Sequence, residues 1–258
     1  MRLMQKTLGA VAALALSVSL LAGCGSTAGS AAASSSAAGS TAVSAVSEAA
    51  SSEAADENEA AAAQLMKDLT GSYQELWPVI LADEHTQTWL DDCTALVGED
   101  NAEGAYEKLS SMVTGDVYGE DAVKAYANGG GAYFCGFTQG LATLTFNGES
   151  SVISGTDKDG STLFSHSYHY IGMEPVRGLY EFESDDADSG EFTYFFLAPD
   201  TSAETNHIEF RYGSDADALG QYDAGDYAYW LASGISTDCD QTMIDNCIQL
   251  FCTENLAG

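Results

Sequence analysis

The sequence predicts an α+β fold: helices come first, an antiparallel β-barrel follows, and one helix ends the chain. Three observations lead to this prediction. Apolar residues recur at helical spacing up to the three glycines at 129–131. Short β-rich runs separated by turn residues then follow one another over residues 132–213. Helical spacing returns near the end, and so many consecutive short strands favour a sheet that closes on itself.

Four segments before the glycines have the apolar spacing of short helices. They are "LTGSYQELWPVILA", "TQTWLDDCTALV", "AEGAYEKLSSMV" and "YGEDAVKAYANGGG". Pro78 should kink or end the first of them, and the glycines end the last. The final segment, "STDCDQTMIDNCIQLFCTE", predicts a closing helix with Ser236 or Thr237 as its N-cap.

The strand-like segments lie between these helices. They are "AYFCGF", "LATLTFNG", "SSVISGTDKDGSTLFSHSYHYIG", "GLYEFES", "FTYFFLAP" and "HIEFRYG". The turn residues of "TDKDGS" predict a hairpin inside the longest of them. "ESDDADSGE" is predicted to be an acidic surface loop.

The first 23 residues are typical of an export signal. Arg2 and Lys6 precede an apolar run that is too short for a comfortable membrane span. The run ends in Leu-Ala-Gly-Cys, which resembles the bacterial lipobox and implies cleavage before Cys24 and lipidation of its thiol, as by palmitate. An ordinary signal peptide with a chance cysteine is the alternative. If the protein is a lipoprotein, we expect it on the extracytoplasmic face of the cell membrane, anchored to the membrane rather than spanning it.

Composition divides the rest of the chain in two. Residues 24–63 are almost entirely Ser, Ala, Gly and Glu, which predicts a flexible linker. Residues 64–258 hold all the aromatic residues and all three prolines, and their length suits one domain with a proper core. The full chain has a formal net charge of -31, which makes nucleic acid a poor partner. The chain has no Gly-x-Ser-x-Gly, Walker, dinucleotide or His-Glu-x-x-His motif, so we do not expect an enzyme.

Five cysteines follow Cys24. They are Cys93, Cys135, Cys239, Cys247 and Cys252. In an exported and oxidising setting we expect at least one disulfide among them, although the sequence does not give its connectivity. The absence of Cys-x-x-Cys spacing argues against a thiolate zinc knuckle.

Metal-ligating side chains recur in the segment "NHIEFRYGSD". His207 and Glu209 are two residues apart on a predicted strand, so they point to the same face. Imidazole and carboxylate are good ligands for zinc, manganese or iron(II). His169 is a candidate third ligand, with a surface histidine as the alternative, and His85 is expected to be solvated in a loop. Alternatively, His207 and Glu209 are simply two polar side chains on a solvent-exposed face of the sheet.

Several segments, in order, resemble the ZinT-type zinc-binding domain, which also forms the C-terminal part of AdcA-type zinc lipoproteins. They are "LTGSYQELWPVI", "YHYIG", "EPVRGLYEFES", "YFFLAPD" and "HIEFRYG". The resemblance implies a lipocalin-like (calycin) barrel with a helical subdomain. It also implies binding of zinc or a similar divalent ion outside the cytoplasm and delivery of that ion to a metal ABC importer.

The sequence departs from the family at the metal site. The resemblance implies three histidines, whose positions here hold Phe195, His207 and Glu209. We therefore expect His207 and Glu209 to face inward at the barrel mouth and to bind zinc more weakly than three histidines would. One alternative is a barrel that has lost its metal and binds a small organic molecule in a more apolar pocket. A surface interaction module on a long stalk is another.

Overall fold

Eight antiparallel strands close into a barrel in which each strand pairs with its neighbours in sequence and the first strand pairs with the last. The computed structural model describes residues 57–199 and 202–257, so Cys24, the predicted export signal and most of the predicted linker lie outside the described residues. The strands are β1 (Gly71–Glu75), β2 (Thr143–Asn147), β3 (Val152–Thr156), β4 (Thr162–Met173), β5 (Tyr180–Ser184), β6 (Tyr194–Leu197), β7 (His207–Gly213) and β8 (Ala232–Ser236). The predicted barrel is confirmed, and it agrees with a calycin-like fold.

Most helices precede β2, and the longest named helix ends the described chain. They are α1 (residues 57–68), α2 (Leu76–Ile80), α3 (Thr86–Val97), α4 (Glu99–Met112), α5 (Glu120–Ala127), α6 (Ala216–Leu219) and α7 (Gln241–Leu256). Helices α2, α3, α4 and α7 pack together as a layer outside the barrel, and α2 also contacts β8. Within the described residues, no helix is both long enough and apolar enough to cross a membrane.

The barrel interior is filled with aromatic side chains. Strand β7 shows the alternation that produces this filling, because Ile208, Phe210 and Tyr212 point inward and are almost fully buried. Aromatic residues of the other strands meet them there, namely Tyr73, Phe146, Phe164, Tyr168, Phe182 and Phe195. The rings of Phe195 and Tyr212 stack with centroids 5.4 Å apart. The core also includes Ala62 of α1, so packing begins slightly before the predicted domain boundary at residue 64.

A second core lies between the helices and the outside of the barrel. Trp89 of α3 is fully buried there, and its indole N–H donates to the carbonyl of Ile80 at 2.7 Å. Phe251 of α7 meets Trp77 of α2 edge to face, with ring centroids 4.7 Å apart. These contacts fix α7 over α2 and α3.

The first predicted helix is wrong in its N-terminal half. Residues Gly71–Glu75 form strand β1, and only Leu76–Ile80 are helical. Tyr73 points into the barrel, where it pairs with Leu144 of β2 and Ser236 of β8. Pairing on both edges outweighs a local apolar spacing that suits a helix.

Three other boundaries also differ from prediction. "AYFCGF" forms no named strand, and Phe134 makes only isolated bridges to Thr114 and Trp230. Strand β8 was not predicted, because "ASGIS" is short and contains little that distinguishes it from a loop. Asp240 caps α7 in place of Ser236 or Thr237, with its carboxylate accepting from the Met243 N–H.

A buried arginine joins β7 to the loop that follows it. Arg211 is fully buried, and its guanidinium donates to the carbonyls of Leu219, Gln221 and Tyr227. It also lies 4.4 Å from the ring centroid of Tyr222. A single side chain therefore satisfies three backbone acceptors, which organises residues 219–227 against the barrel.

The five cysteines of the described residues are free thiols. The disulfide that we predicted is therefore not formed in this structure. Four of the five are buried in the second core, between the helices and the outside of the barrel, and Cys239 is partly exposed just before α7.

Carboxylates from α3 and α7 oppose each other, which gives a pH-dependent prediction. Burial, together with the charges of Asp245 and Asp91, raises the pKa of Asp92. The folded state thus favours the protonated form, and the resulting stability is present at low pH and lost as pH rises through the raised pKa. Asp92→Asn should therefore raise the urea midpoint of unfolding slightly at pH 7, and less near pH 3.5.

The matched control is Glu107→Gln, which removes one charge from an exposed position of α4. It corrects for the general effect of lowering a large negative net charge. If both variants shift the urea midpoint equally, the charge of Asp92 is no more unfavourable in the folded protein than that of an exposed glutamate.

Candidate metal site

His207 and Glu209 lie on the outer face of β7, beneath the helical layer. They alternate with Ile208 and Phe210, which point into the barrel core. His207 is buried and Glu209 is half-buried. The expectation that the pair faces inward at the barrel mouth is therefore wrong. The two side chains do share one face, but helices α2 and α7 cover it.

A small cavity separates β7 from α2 and α7. Its volume is about 30 Å³, close to the space of one water molecule, so a single water or metal ion matches it. It is lined by Leu76, Trp77, Ile80, His207, Glu209, Cys247, Leu250, Phe251 and Glu254. Most of this lining is apolar. The ionisable side chains in it are His207 and Glu209 of β7 and Cys247 and Glu254 of α7.

Helix α7 brings Glu254 to this cavity, a position that was not predicted from the sequence. The α7 residues that line the cavity are at positions 247, 250, 251 and 254, a spacing that places them on one face of the helix. The sequence does contain one signal for this position, because Glu254 lies about one turn beyond Phe251 on an otherwise apolar helix face. Nothing in the spacing shows that this face meets β7, because that depends on how α7 docks.

Two hydrogen bonds dock α7 against the segment before β7. The Asn246 side chain donates to the carbonyl of Glu204 at 2.9 Å, and the Cys247 thiol donates to the carbonyl of Thr205 at 3.3 Å. On one side both bonds lie within three residues of the start of β7, and on the other side they lie beside the cavity. They therefore fix the distance between His207 and the α7 face.

The Thr205 hydroxyl orients the His207 ring. Nδ1 of His207 lies 2.7 Å from Thr205 Oγ1, which in turn lies 3.1 Å from Ser202 Oγ. When the hydroxyl donates to Ser202, it accepts the Nδ1–H of the imidazole, and Nε2 then carries the lone pair. A hydrogen bond to one ring nitrogen is the usual means of presenting the other to a metal.

Cys247 is the fourth polar group at the cavity, but its chemistry is different. Burial raises the pKa of its thiol to about 12. At neutral pH the group is a neutral thiol, and the thiolate is the form that ligates metals. The donors suited to a metal are therefore His207, Glu209 and Glu254.

Two other predicted positions lie elsewhere. His169 is half exposed on β4, three strands away from β7, where Asp185 Oδ1 is 2.8 Å from its Nδ1. The structure thus does not bring it to His207. Phe195 is fully buried inside the barrel, opposite Tyr212. The three positions aligned with the family's histidines therefore do not converge on one volume.

His85 is not solvated as predicted. It is 4% exposed at the start of α3, and its Nδ1 lies 3.3 Å from the Gln241 amide nitrogen at the start of α7. The local sequence predicts a loop at His85, but it does not show that α7 covers this loop. His85 is therefore part of the packing between helices.

The side chains at the cavity are not arranged as a finished metal centre. Within the described residues, no group of three or more His, Cys, Asp or Glu side chains is close enough together to hold a metal ion. His207, Glu209 and Glu254 line one cavity, and Glu254 is an exposed helical side chain with several rotatable bonds. Side-chain rotation of the glutamates is the adjustment that would bring the donors to one ion.

A second, larger cavity lies at the opposite end of β7. Its volume is about 350 Å³. It is lined by Tyr118, Gln139, Glu191, Ser214, Asp215, Ala218, Asp226 and Tyr227. Glu191 accepts hydrogen bonds from Ser214 and Tyr227, both at 2.9 Å. This space is polar and acidic, unlike the apolar pocket expected from the loss of a histidine at Phe195.

No protein-family model matches the chain, and no curated protein matches it. Among solved structures, it is similar to the Zn(II)-bound ZinT-like domain of Streptococcus pneumoniae AdcA, with 13% identity and a TM-score of 0.45 over 72% of this chain and 89% of that chain. It is also similar to Zn(II)-bound AdcA from Streptococcus pneumoniae, with 12% identity and a TM-score of 0.43 over 72% of this chain and 35% of that chain. At these identities and TM-scores, neither likeness carries the functional argument, which rests on the side chains themselves.

Proposed function

We propose that the protein binds zinc or a similar divalent metal ion between β7 and α7, with His207, Glu209 and Glu254 as ligands. The observation that carries the proposal is that these three side chains line one cavity of about 30 Å³. The sequence resemblance to ZinT-type domains supports the choice of zinc. Glu254 takes the place of the third ligand that the aligned Phe195 cannot provide.

The donor set determines which ions fit. One imidazole and two carboxylates can hold zinc with a water in the fourth position. The same set suits manganese and iron(II), because oxygen donors reduce the preference for zinc over harder ions. The strongly negative protein also concentrates cations near its surface, although this effect is not specific.

The role that follows is binding rather than catalysis. We infer that the protein holds its ion as cargo on the extracytoplasmic face of the membrane, anchored through a lipid on Cys24, and that it supplies a metal importer. The export signal, the lipobox-like motif and the linker of residues 24–63 support this placement.

Calorimetric zinc titration at neutral pH tests the ligand assignment. The parent chain should bind one zinc. His207→Ala should weaken binding by more than about 100-fold, because a direct ligand contributes more than the orienting groups whose loss costs 10–100-fold. Glu254→Gln should weaken binding by about tenfold, because an amide is a poorer ligand than a carboxylate.

His169→Ala is the control, because it removes an imidazole from a half-exposed position far from the cavity. Its affinity should equal that of the parent. Equal zinc binding by the parent and His207→Ala would exclude the site. Loss of affinity in His169→Ala with none in Glu254→Gln would instead favour the ligand set expected from sequence.

A second candidate function is the binding of a small polar molecule in the 350 Å³ cavity. Its carboxylates, Glu191, Asp215 and Asp226, favour a cationic ligand, and the rings of Tyr118 and Tyr227 can contact such a ligand through their faces. Native mass spectrometry of untagged protein separates the two functions. Bound zinc supports the first, whereas a bound organic mass with no metal supports the second.

A further inference from the structure

Two cysteines from different helices meet inside the helical layer. Cys93 of α3 and Cys252 of α7 are both fully buried, and their sulfur atoms are 3.9 Å apart. We propose that Cys93 and Cys252 form a disulfide in oxidising surroundings, which joins α3 covalently to α7. This inference is independent of metal binding.

The geometry needs only a small change to form the bond. A disulfide has a sulfur–sulfur length of about 2.05 Å, so the two atoms must approach by about 2 Å. Each side chain has one rotatable bond that moves its sulfur. The two helices already pack against each other, so the approach does not require them to separate.

The other thiols are engaged or placed differently. Cys247 donates to the carbonyl of Thr205, and Cys239 lies outside α7, partly exposed. Cys135 belongs to the segment before β2, where burial and the charge of Glu209 raise the pKa of its thiol. By contrast, the thiols of Cys93 and Cys252 contact each other, which makes them the favoured partners.

The chemistry is a two-step exchange with a small disulfide such as oxidised glutathione. The thiolate of one cysteine attacks the small disulfide, forms a mixed disulfide and releases one glutathione thiolate. The thiolate of the second cysteine attacks the protein sulfur of that mixed disulfide and releases the second glutathione. Two protein thiols are oxidised, one small disulfide is reduced to two thiols, and the two protons pass to the released thiolates.

Burial determines when this exchange takes place. Burial raises the pKa of both thiols and excludes an oxidant from them in the folded state. The bond should therefore form while the chain folds, before α7 is fully packed against α3. Once formed, it closes a loop between positions 159 residues apart, which restricts the unfolded chain.

Refolding of the full chain from urea, in a buffer of reduced and oxidised glutathione, tests the inference. Free thiols are then alkylated under denaturing conditions and the peptides are mapped by mass spectrometry. We expect a cross-linked peptide pair containing Cys93 and Cys252 in most molecules. The urea midpoint of the oxidised protein should be higher than that of the reduced protein.

Variants separate this pair from the other thiols. Cys93→Ser should abolish the cross-link and the shift in midpoint, whereas Cys239→Ser should retain both. The peptide map of the unaltered chain remains decisive if a buried serine impairs folding. Folded protein in which both cysteines are alkylated, or in which either is paired with another cysteine, would overturn the proposal.

Discussion

Replacement of Arg211 by alanine is expected to destabilise the fold by roughly 3–5 kcal/mol, because three backbone carbonyls, two of them in buried hydrogen bonds, lose a charged donor and each buried loss costs about 1–3 kcal/mol. The guanidinium donates to Leu219, Gln221 and Tyr227 and is fully buried. Urea unfolding followed by tryptophan fluorescence measures the loss, and Trp230 next to this segment should report it.

Arg177→Ala is the matched control. Arg177 lies over the same Tyr222 ring, with its guanidinium carbon 4.5 Å from the centroid, but it is only half-buried. Its loss should cost about 0.5–1 kcal/mol, the typical value of an exposed cation–π contact. If the two variants lose equal stability, the hydrogen bonds from Arg211 to the three carbonyls do not account for the contribution of Arg211 to the free energy of unfolding.

The second large effect concerns Phe195, where sequence and structure lead to opposite expectations. Phe195→His restores the histidine that the resemblance implies, so an inward-facing metal site would bind zinc more tightly. In the structure, position 195 faces the barrel core and His207 faces the helices. We therefore expect unchanged zinc affinity and a destabilisation of about 3 kcal/mol, from lost apolar packing and a buried imidazole.

Phe195→Leu is the comparison variant, because it keeps an apolar side chain at the same place. It should cost about 1–2 kcal/mol and leave zinc affinity unchanged. Calorimetry and urea unfolding on both variants give the two readouts. Tighter zinc binding by Phe195→His would mean that the metal lies inside the barrel.

Most of the barrel was predictable because strands β2 to β7 carry local signals, whereas β1, β8 and the location of the proposed site were not. Alternation in β7 correctly places His207 and Glu209 on one face. It does not say which face is inside, because both faces of β7 are covered: one by aromatic residues and the other by helices. Glu254 depends on the docking of α7, which no local pattern encodes.

The error at β1 has the same physical origin. Leu69, Tyr73, Leu76 and Ile80 are spaced as on a helix, and all four are buried. They do not share one helix: Leu69 lies before β1, Tyr73 is in the strand that ends at Glu75, and Leu76 and Ile80 are in the helix that begins at Leu76. Long-range pairing with β2 and β8 decides between the two, and single-sequence spacing contains no information about it.

The pairing of β1 with β8 also constrains how the chain is made. A chain that grows from its N-terminus completes β1 early, but that strand lacks one partner until Ala232–Ser236 has emerged. Until then two open sheet edges present unpaired backbone groups to neighbouring chains. Synthesis of the last part of the domain is thus the interval of greatest exposure to aggregation, and chaperones would act most usefully there.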